Sequence, residues 1–479
     1  MPCPKNQSGD AYQVVIDSAD HFADQQGAVG VGELASKDQA EHIDFGIGSA
    51  QKTTFTPAQV ITAGTRVIRL NVQVSDSKRC SRTLVRGFGR LMADRSLVPS
   101  VLDQTALMGV ISRPASAMAQ DLLGWWQING RCDAVQKPWM VTRAGRWPTV
   151  TDELDPYSIW IAEVMLQQTQ LQVVLPYWWR WMEVFPTADA LAAASLEHVR
   201  LQWQGLGYYS RARRLHAAAQ RLAQGTWPRD LDSWMGLPGI GRTTAGSILS
   251  SAFNAPFAIL DGNVKRVLAR LHAHPRLPAR DQVLFWQWSE ALLDLARPRD
   301  FNQALMDLGA TVCTPRNPDC DRCPWMSSCA AYASGDPTRW PMTDGSKPLP
   351  FQQIGVGVVL NAQGLVLIDQ RMEEGLLGGM WEFPGGKQEP GESIETCIKR
   401  ELMEELGIVV RVGEELITLD HAYSHKKLRF VVHLCAWVSG DPQPLASQQV
   451  RWVAPDQLNT FAFPAANTRM IEALLRSIN

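Results

Sequence analysis

Leu237-Pro-Gly-Ile-Gly241 runs directly into Arg242-Thr-Thr-Ala-Gly-Ser-Ile-Leu249, and Leu260-Asp-Gly-Asn-Val-Lys-Arg-Val-Leu268 follows shortly after. Gly239 and Gly241 permit a tight turn between helices. Backbone N–H groups where such a turn enters a helix can hold a phosphate. On these residues alone, a plain helix corner reads equally well. Asp261 stands where a helix would begin, and Asp caps helices well. It is therefore either a cap or a carboxylate set out for chemistry, and the flanking sequence has to decide.

Outward from this stretch, the pattern is helical. Leu191–Gln204, Arg211–Ala223 and Asp281–Leu295 carry apolar residues at three- and four-residue spacing. Gly and Pro punctuate them at short intervals. An all-α domain is expected over residues 116–331, then a linker over 332–350 that is rich in Pro, Gly and Ser. Beyond it the period changes. Ile354–Leu360 and Leu365–Gln370 read as strands joined at Asn361–Gly364, Ser393–Leu406 as a helix, Val409–Val412 and Leu428–Trp437 as strands, and Ala466–Ser477 as a last helix. That predicts an α/β domain over 351–479. Residues 1–115 lack a sustained helical period. Ile61–Val74 alternates like a strand, but its surroundings are rich in Gly, Ser and Asp, and the segment reads as a disordered extension.

The 479 residues suffice for two or three domains. No apolar run is long enough to span a bilayer, and the polar N-terminal residues do not read as a secretory signal. A soluble, cytoplasmic, monomeric protein with no membrane partner is expected. Of nine cysteines, Cys313, Cys320, Cys323 and Cys329 crowd together while the rest are scattered. That favours a metal or cluster site in a reducing compartment over disulfides. Four thiolates at this spacing suit a [4Fe–4S] cluster, with zinc as the alternative. The net charge of −2 hides an asymmetry: residues 200–330 hold 16 Lys/Arg against 10 Asp/Glu, and residues 351–479 hold 11 against 16. The middle of the chain can face phosphate; the C-terminal region would repel it unless metal ions intervene.

Together with Trp160-Ile-Ala-Glu-Val-Met-Leu-Gln-Gln-Thr-Gln170 and Trp203-Gln-Gly-Leu-Gly-Tyr-Tyr-Ser-Arg-Ala-Arg213, the opening stretch resembles the helix-hairpin-helix DNA glycosylase superfamily. Within it, the chain is similar to the MutY family of adenine glycosylases, from about Trp125 to Cys329. The resemblance implies removal of adenine from double-stranded DNA at A:8-oxoguanine or A:G mispairs. Adenine leaves deoxyribose only when its ring is protonated, and the sugar then needs an anion beside it, much as in two-carboxylate glycoside hydrolysis. The resemblance makes Glu163 the acid and Asp261 the stabiliser or transient nucleophile. Glu163 lies in the apolar stretch Ile159–Leu166, where burial would keep it protonated. Gln168 and Tyr208 match the family's wedge into the duplex, and Thr169 lies beside the opposite base. Leu237, Gly239, Gly241, Thr243 and Asn263 complete the DNA-contacting set. Thr243 stands where strand-cleaving relatives carry a Schiff-base lysine, which implies a monofunctional enzyme. The cysteine spacing is that of the superfamily's [4Fe–4S] loop, and Arg316 and Arg322 within it suit a DNA-facing surface.

In the C-terminal region, Gly386-x5-Glu392-x7-Arg400-Glu401-Leu402-x-Glu404-Glu405-x-Gly407-Ile408 places Glu401, Glu404 and Glu405 on one helical face. Such a face is disfavoured by a few tenths of a kcal/mol, roughly, per like-charged pair, which bound Mg²⁺ or Mn²⁺ would reverse. The pattern resembles the Nudix box. The implied fold is thus multidomain: an all-α helix-hairpin-helix glycosylase with a [4Fe–4S] cluster loop, followed by an α/β Nudix domain. Tyr423-Ser424-His425 resembles the loop with which MutY proteins read 8-oxoguanine. Arg371, Trp381-Glu-Phe-Pro-Gly-Gly-Lys387 and Asn467 resemble the nucleotide site of MutT hydrolases, which act on 8-oxo-dGTP. A further metal-binding glutamate of MutT is not matched; Gln448 and Gln449 lie in that vicinity. Two readings stay open: a domain that only reads the lesion, or one that also hydrolyses 8-oxo-dGTP.

Overall fold

The computed structural model describes residues 17–20, 59–63, 66–70 and 113–478, apart from 224, 346–347 and 424–425. Most of the segment read as a disordered extension lies outside these residues. Within it, β1 (Asp17–Asp20), β2 (Gln59–Ala63) and β3 (Arg66–Leu70) form an antiparallel sheet in the order β1-β3-β2. β2 and β3 overlap the alternating stretch Ile61–Val74.

The helical domain begins with α1 (Ala115–Asn129). α2 (Pro156–Leu166) starts where the Asp155 carboxylate accepts the Tyr157 and Ser158 N–H groups, with Pro156 in the first turn. All but two of its eleven residues are buried, so it threads the middle of the domain. α3 (Leu171–Val184) follows. The single helix expected over Leu191–Gln204 is two: α4 (Ala188–Ala193) and α5 (Leu196–Trp203). The chain turns extended at Ala194, and the Ser195 hydroxyl caps the His198 N–H to begin a new helix. Periodicity runs across this break because both helices press the same face onto the core.

Next come α6 (Ser210–Leu222), α7 (Leu231–Met235), α8 (Arg242–Phe253), α9 (Gly262–Leu271), α10 (Gln282–Leu292), α11 (Pro298–Thr311) and α12 (Ala330–Ala333). α8 is buried from Thr244 to Ala252 and packs against α2 and α11. The core is rich in tryptophan, with Trp160, Trp181, Trp203 and Trp234 fully enclosed. The segment read as a linker is not wholly one. Trp340 is buried, and its carbonyl accepts Arg270 Nε at 2.9 Å, so the chain stays bound to the helical domain that far.

The C-terminal domain is a mixed sheet. β4 (Phe351–Leu360), β5 (Val366–Gln370), β8 (Val409–Ala422), β9 (Lys427–Ser439) and β10 (Gln449–Val453) lie in the order β10-β5-β4-β9-β8. Only β4 and β9 run parallel among these neighbours. Short β6 (Trp381–Glu382) and β7 (Gly385–Lys387) pair with β5 and β4. Alternate side chains serve two cores. Val358 and Ile368 meet Met470 of α14 (Ala465–Ile478) on one face, and Val359 and Leu367 meet Ile398 and Leu402 of α13 (Ile394–Leu406) on the other. Ser393 caps α13, and Gly407 at φ 69° ends it.

The two domains interlock. Arg200 on α5 binds Glu373 at 2.5 Å, Arg213 donates to the Glu373 carbonyl at 2.8 Å, and Trp381 Nε1 donates to Glu197 at 3.0 Å. Met380 is buried in the helical domain's core. Among the described residues no helix is long and apolar enough to cross a membrane.

Candidate active site

Glu163 projects from the middle of α2. The residue is half-buried by area, which leaves an approach for a base, but protein surrounds the carboxyl closely. Burial pushes it up to about 7; the nearby Asp261 charge adds to this, while Ser247 and the Lys137 ammonium oppose it. The buried Ser247 hydroxyl has no other partner among the described residues.

Asp261 is the helix cap its sequence allowed, and its second oxygen has a weaker partner. As N-cap of α9 it accepts the Val264 N–H through Oδ1 at 2.7 Å, while Oδ2 accepts the Asn263 amide at 3.3 Å. Burial raises its pKa; the Val264 N–H and the Arg266 charge hold it down. Asn263, expected among the DNA contacts, spends its amide on Asp261 and its carbonyl oxygen on Arg266 at 2.9 Å, so it orients the carboxylate. Thr243, another expected DNA contact, donates to the Leu260 carbonyl at 3.1 Å and steadies the chain entering Asp261.

Sequence reading passed over a buried charge cluster behind this pair. Lys137 Nζ donates to Gln303 at 2.7 Å and to Asp307 at 2.9 Å. Asp307 also accepts Arg131 Nε at 2.8 Å and Trp126 Nε1 at 2.9 Å. A buried lysine needs such a partner, but no local spacing announces one.

The hairpin forms as expected between α7 and α8. Gly239 has φ +81°, and a Cβ there would lie 2.8 Å from Arg214 Cβ, so a side chain is excluded twice over. Leu237 and Ile240 close the turn through a backbone bond. Gly241 caps α8 with no atom near its missing Cβ, which leaves the helix entrance open to a phosphate. The two wedge candidates share an unusual feature. Gln168 and Tyr208 are exposed non-glycine residues at positive φ, 59° and 47°. Such residues are strained and tend to mark functional turns. Thr169 is half-buried beside Gln168.

Cys313, Cys320, Cys323 and Cys329 line one cavity, with Val267, Leu271 and Trp325 forming apolar walls. Burial pushes Cys323 up to about 12 and raises Cys320 and Cys329. Thiolates there need cationic partners, and an iron–sulfur cluster would supply them. Arg270 donates to the Thr314 and Pro315 carbonyls at 2.6 and 2.8 Å and lies 3.4 Å from Cys313 Sγ, which ties the loop to α9. The donor set and its surroundings fit the cluster.

Residues 161–288 match the HhH-GPD superfamily of base excision DNA repair proteins, 313–329 the iron-sulfur binding domain of endonuclease III, and 355–473 the NUDIX domain. The chain is 35% identical over 407 residues to adenine DNA glycosylase of Homo sapiens, covering 73% of this chain and 72% of that one. It is 34% identical to that of Mus musculus, covering 74% and 76%, and 35% identical to that of Arabidopsis thaliana, covering 72% and 62%. The chain belongs to the adenine DNA glycosylase family. It is a DNA-binding adenine glycosylase with an iron–sulfur domain and a C-terminal Nudix domain.

In the Nudix domain of this glycosylase, Arg400 is the hub of the acidic face. It binds Glu392 at 2.8 Å, Glu401 at 2.9 Å and Glu404 at 3.2 Å. Gly386 makes room for Glu401, since a Cβ there would fall 2.1 Å from its carboxyl carbon. Burial pushes Glu405 up to about 7, and the Glu382 and Glu401 charges add to this. Arg400 thus pairs three of the face's carboxylates, and among the described residues no group of three or more acidic side chains is gathered as a metal site. Arg371 is held by both oxygens of Glu382 at 2.6 and 2.7 Å, and Asn467 is buried near the domain seam. Tyr423 packs edge-on against His421, with ring centroids 4.6 Å apart. Ser424 and His425 lie outside the described residues.

Proposed function

We propose that this monofunctional, monomeric and cytoplasmic enzyme hydrolyses the N-glycosidic bond of adenine paired with 8-oxoguanine or guanine. The observation that carries the chemistry is one enclosed pair of carboxyls with different partners: Asp261 accepts the Val264 N–H and the Asn263 amide, while burial on an apolar helix keeps Glu163 protonated. Gln168 and Tyr208 wedge the duplex, and the adenine leaves the stack at a cost of a few kcal/mol, roughly. Protonated Glu163 gives its proton to a ring nitrogen. The bond from C1′ to the base breaks, its electron pair leaving with neutral adenine. Ionised Asp261, oriented by Asn263 and the Val264 N–H, stabilises the cationic sugar. Water adds at C1′ and its proton returns to Glu163. Thr243 cannot form a Schiff base, which supports hydrolysis without strand cleavage. Leu237, Gly239 and Gly241 present backbone to a phosphate. Cys313, Cys320, Cys323 and Cys329 hold the cluster, read as [4Fe–4S], which stiffens a DNA-facing loop.

The Nudix domain reads the base opposite adenine through the Tyr423–His425 loop. The resemblance of Tyr423-Ser424-His425 to the lesion-reading loop of the family supports this. Excision from A:8-oxoguanine and A:G duplexes tests it. Tyr423→Ala should erase the preference for the lesion pair while A:G excision persists; an unchanged preference would refute the loop's role.

A second reading, hydrolysis of 8-oxo-dGTP, rests on the complete acidic face. Mg²⁺ or Mn²⁺ held by Glu401, Glu404 and Glu405, with Glu392 and Arg400 bracing them, would grip the diphosphate; Arg371 and Asn467 would face the nucleotide. Wild-type protein with 8-oxo-dGTP and Mg²⁺ should release pyrophosphate, and Glu404→Gln should release about 10²-fold less. No release from wild type, or equal release from the variant, would remove this activity.

A further inference from the structure

Arg211, in the first turn of α6, is buried inside a cage of backbone carbonyls. One arm, Nη1, donates to the carbonyls of Val164 at 2.8 Å, Met165 at 3.1 Å and Gln167 at 2.6 Å. The other, Nη2, donates to the carbonyls of Leu206 at 3.0 Å and Gly207 at 3.2 Å and reaches the Thr169 hydroxyl at 3.5 Å. The first three acceptors lie in the last turn of α2 and just after it. A helix leaves carbonyls unsatisfied there, and its dipole favours a cation. The other carbonyls belong to the turn joining α5 to α6. The guanidinium plane lies over the rings of Trp203 and Tyr208, with centroids 5.2 and 5.5 Å away. Among the described residues no carboxylate pairs with Arg211. Burial pulls its pKa down to about 10, so it stays charged at neutral pH. An unpaired buried cation is costly, and here its bonds go to the two strained turns of the active-site face, one carrying Gln168 and the other Tyr208.

We propose that Arg211 is a positioning residue for base extrusion, fastening these two turns so that Gln168 and Tyr208 enter the duplex as one rigid wedge. It rests on the reading of those two residues as the wedge. Arg211 touches neither adenine nor sugar; it acts through the turns. Each turn holds a residue at positive φ that would relax if released. Two loops that move independently would lose the fixed spacing between side chains that must open a single base step. Only a planar fork with several donors can bridge two carbonyl sets at once. Lysine keeps the charge but not the fork.

Single-turnover adenine release by the full chain tests this on two duplexes. In the first, adenine stands opposite 8-oxoguanine; in the second it sits in an unpaired bubble, already unstacked. Arg211→Lys should slow the paired duplex roughly 10- to 100-fold and the bubble by less than about threefold, since extrusion is no longer needed there. Adding Arg211→Lys to Tyr208→Ala should slow the paired duplex no further than Tyr208→Ala alone. Equal losses on both duplexes, as a merely structural role or misfolding would give, overturn the proposal, and so does no loss on either. The Tyr208→Ala arm separates the two failures. If that variant excises from the paired duplex at the wild-type rate, the wedge reading fails and takes the strut with it. If Tyr208→Ala is slow and Arg211→Lys is not, only the strut falls.

Discussion

Asp261→Asn is expected to lower the single-turnover rate of adenine release about 10³-fold, the scale on which a preorganised charge opposite a developing one is worth removing. The substitution is clean because Asp261 has two jobs that can be separated. Its cap on the Val264 N–H, 2.7 Å long, needs an oxygen but no charge, and Asn caps a helix as well as Asp does. Stability should therefore fall by no more than about 1 kcal/mol, because the cap is kept and only the 3.3 Å bond from Asn263 gives way to two facing amide donors. What is lost is the negative charge beside the cationic sugar. DNA affinity should persist, since the hairpin and the wedge turns are untouched. A melting curve alongside the rate separates chemistry from folding. A variant that excises adenine within tenfold of wild type would remove Asp261 from the mechanism.

Glu163→Gln should cost about 10²- to 10⁴-fold, the range for a general acid, and should change the pH dependence in two ways. In the proposed mechanism the active form is the protonated acid. Its pKa is raised from 4.5 to about 7 by burial, so the rate should fall as pH rises through about 7. The residual rate of the Gln variant should lack that limb. Stability follows from the same shift. The folded protein holds a proton that the unfolded chain releases between about 4.5 and 7, so this group's contribution is fully present below 4.5 and is lost as pH rises through about 7. The loss is up to roughly 3 kcal/mol. Gln carries no such proton. The variant should thus melt at or above the wild type at pH 8 and show no such advantage at pH 5. A rate without a basic limb near 7 in the wild type, or a variant less stable at pH 8 than at pH 5 relative to wild type, would refute the enclosed-acid picture.

Much of this was readable in the letters. The four cysteines and the hairpin glycines announce themselves because a cluster loop and a tight turn demand residue types at short, fixed spacing. Gly239 is an example: its positive φ and its contact with Arg214 leave no alternative to glycine. The strands and helices of the C-terminal domain appear near their expected places for the same reason, since period and capping act locally. The errors were of two kinds. The helix over Leu191–Gln204 breaks at Ala194 because one serine cap outweighs a continuous apolar stripe. The chain past residue 331 stays docked because Trp340 has a distant partner in Arg270.

Most of what was unreadable depends on separation along the chain. Lys137 and Asp307 stand 170 positions apart, and no periodicity joins them. Arg211 looks like one more surface arginine in a run of three within four residues until α2 and the α5–α6 turn close around it. The seam residues Glu197, Arg200, Glu373 and Trp381 could not be paired before the domains met. The residue types and local spacings determined which groups are available for adenine removal: an acid on an apolar helix, a capping carboxylate after a glycine hairpin, and four thiols in one loop. Tertiary structure alone decided the state of those groups. A carboxyl's proton depends on how much water and which charges surround it, and a turn's strain on what holds it in place. Both are set by atoms brought together from remote stretches of the chain.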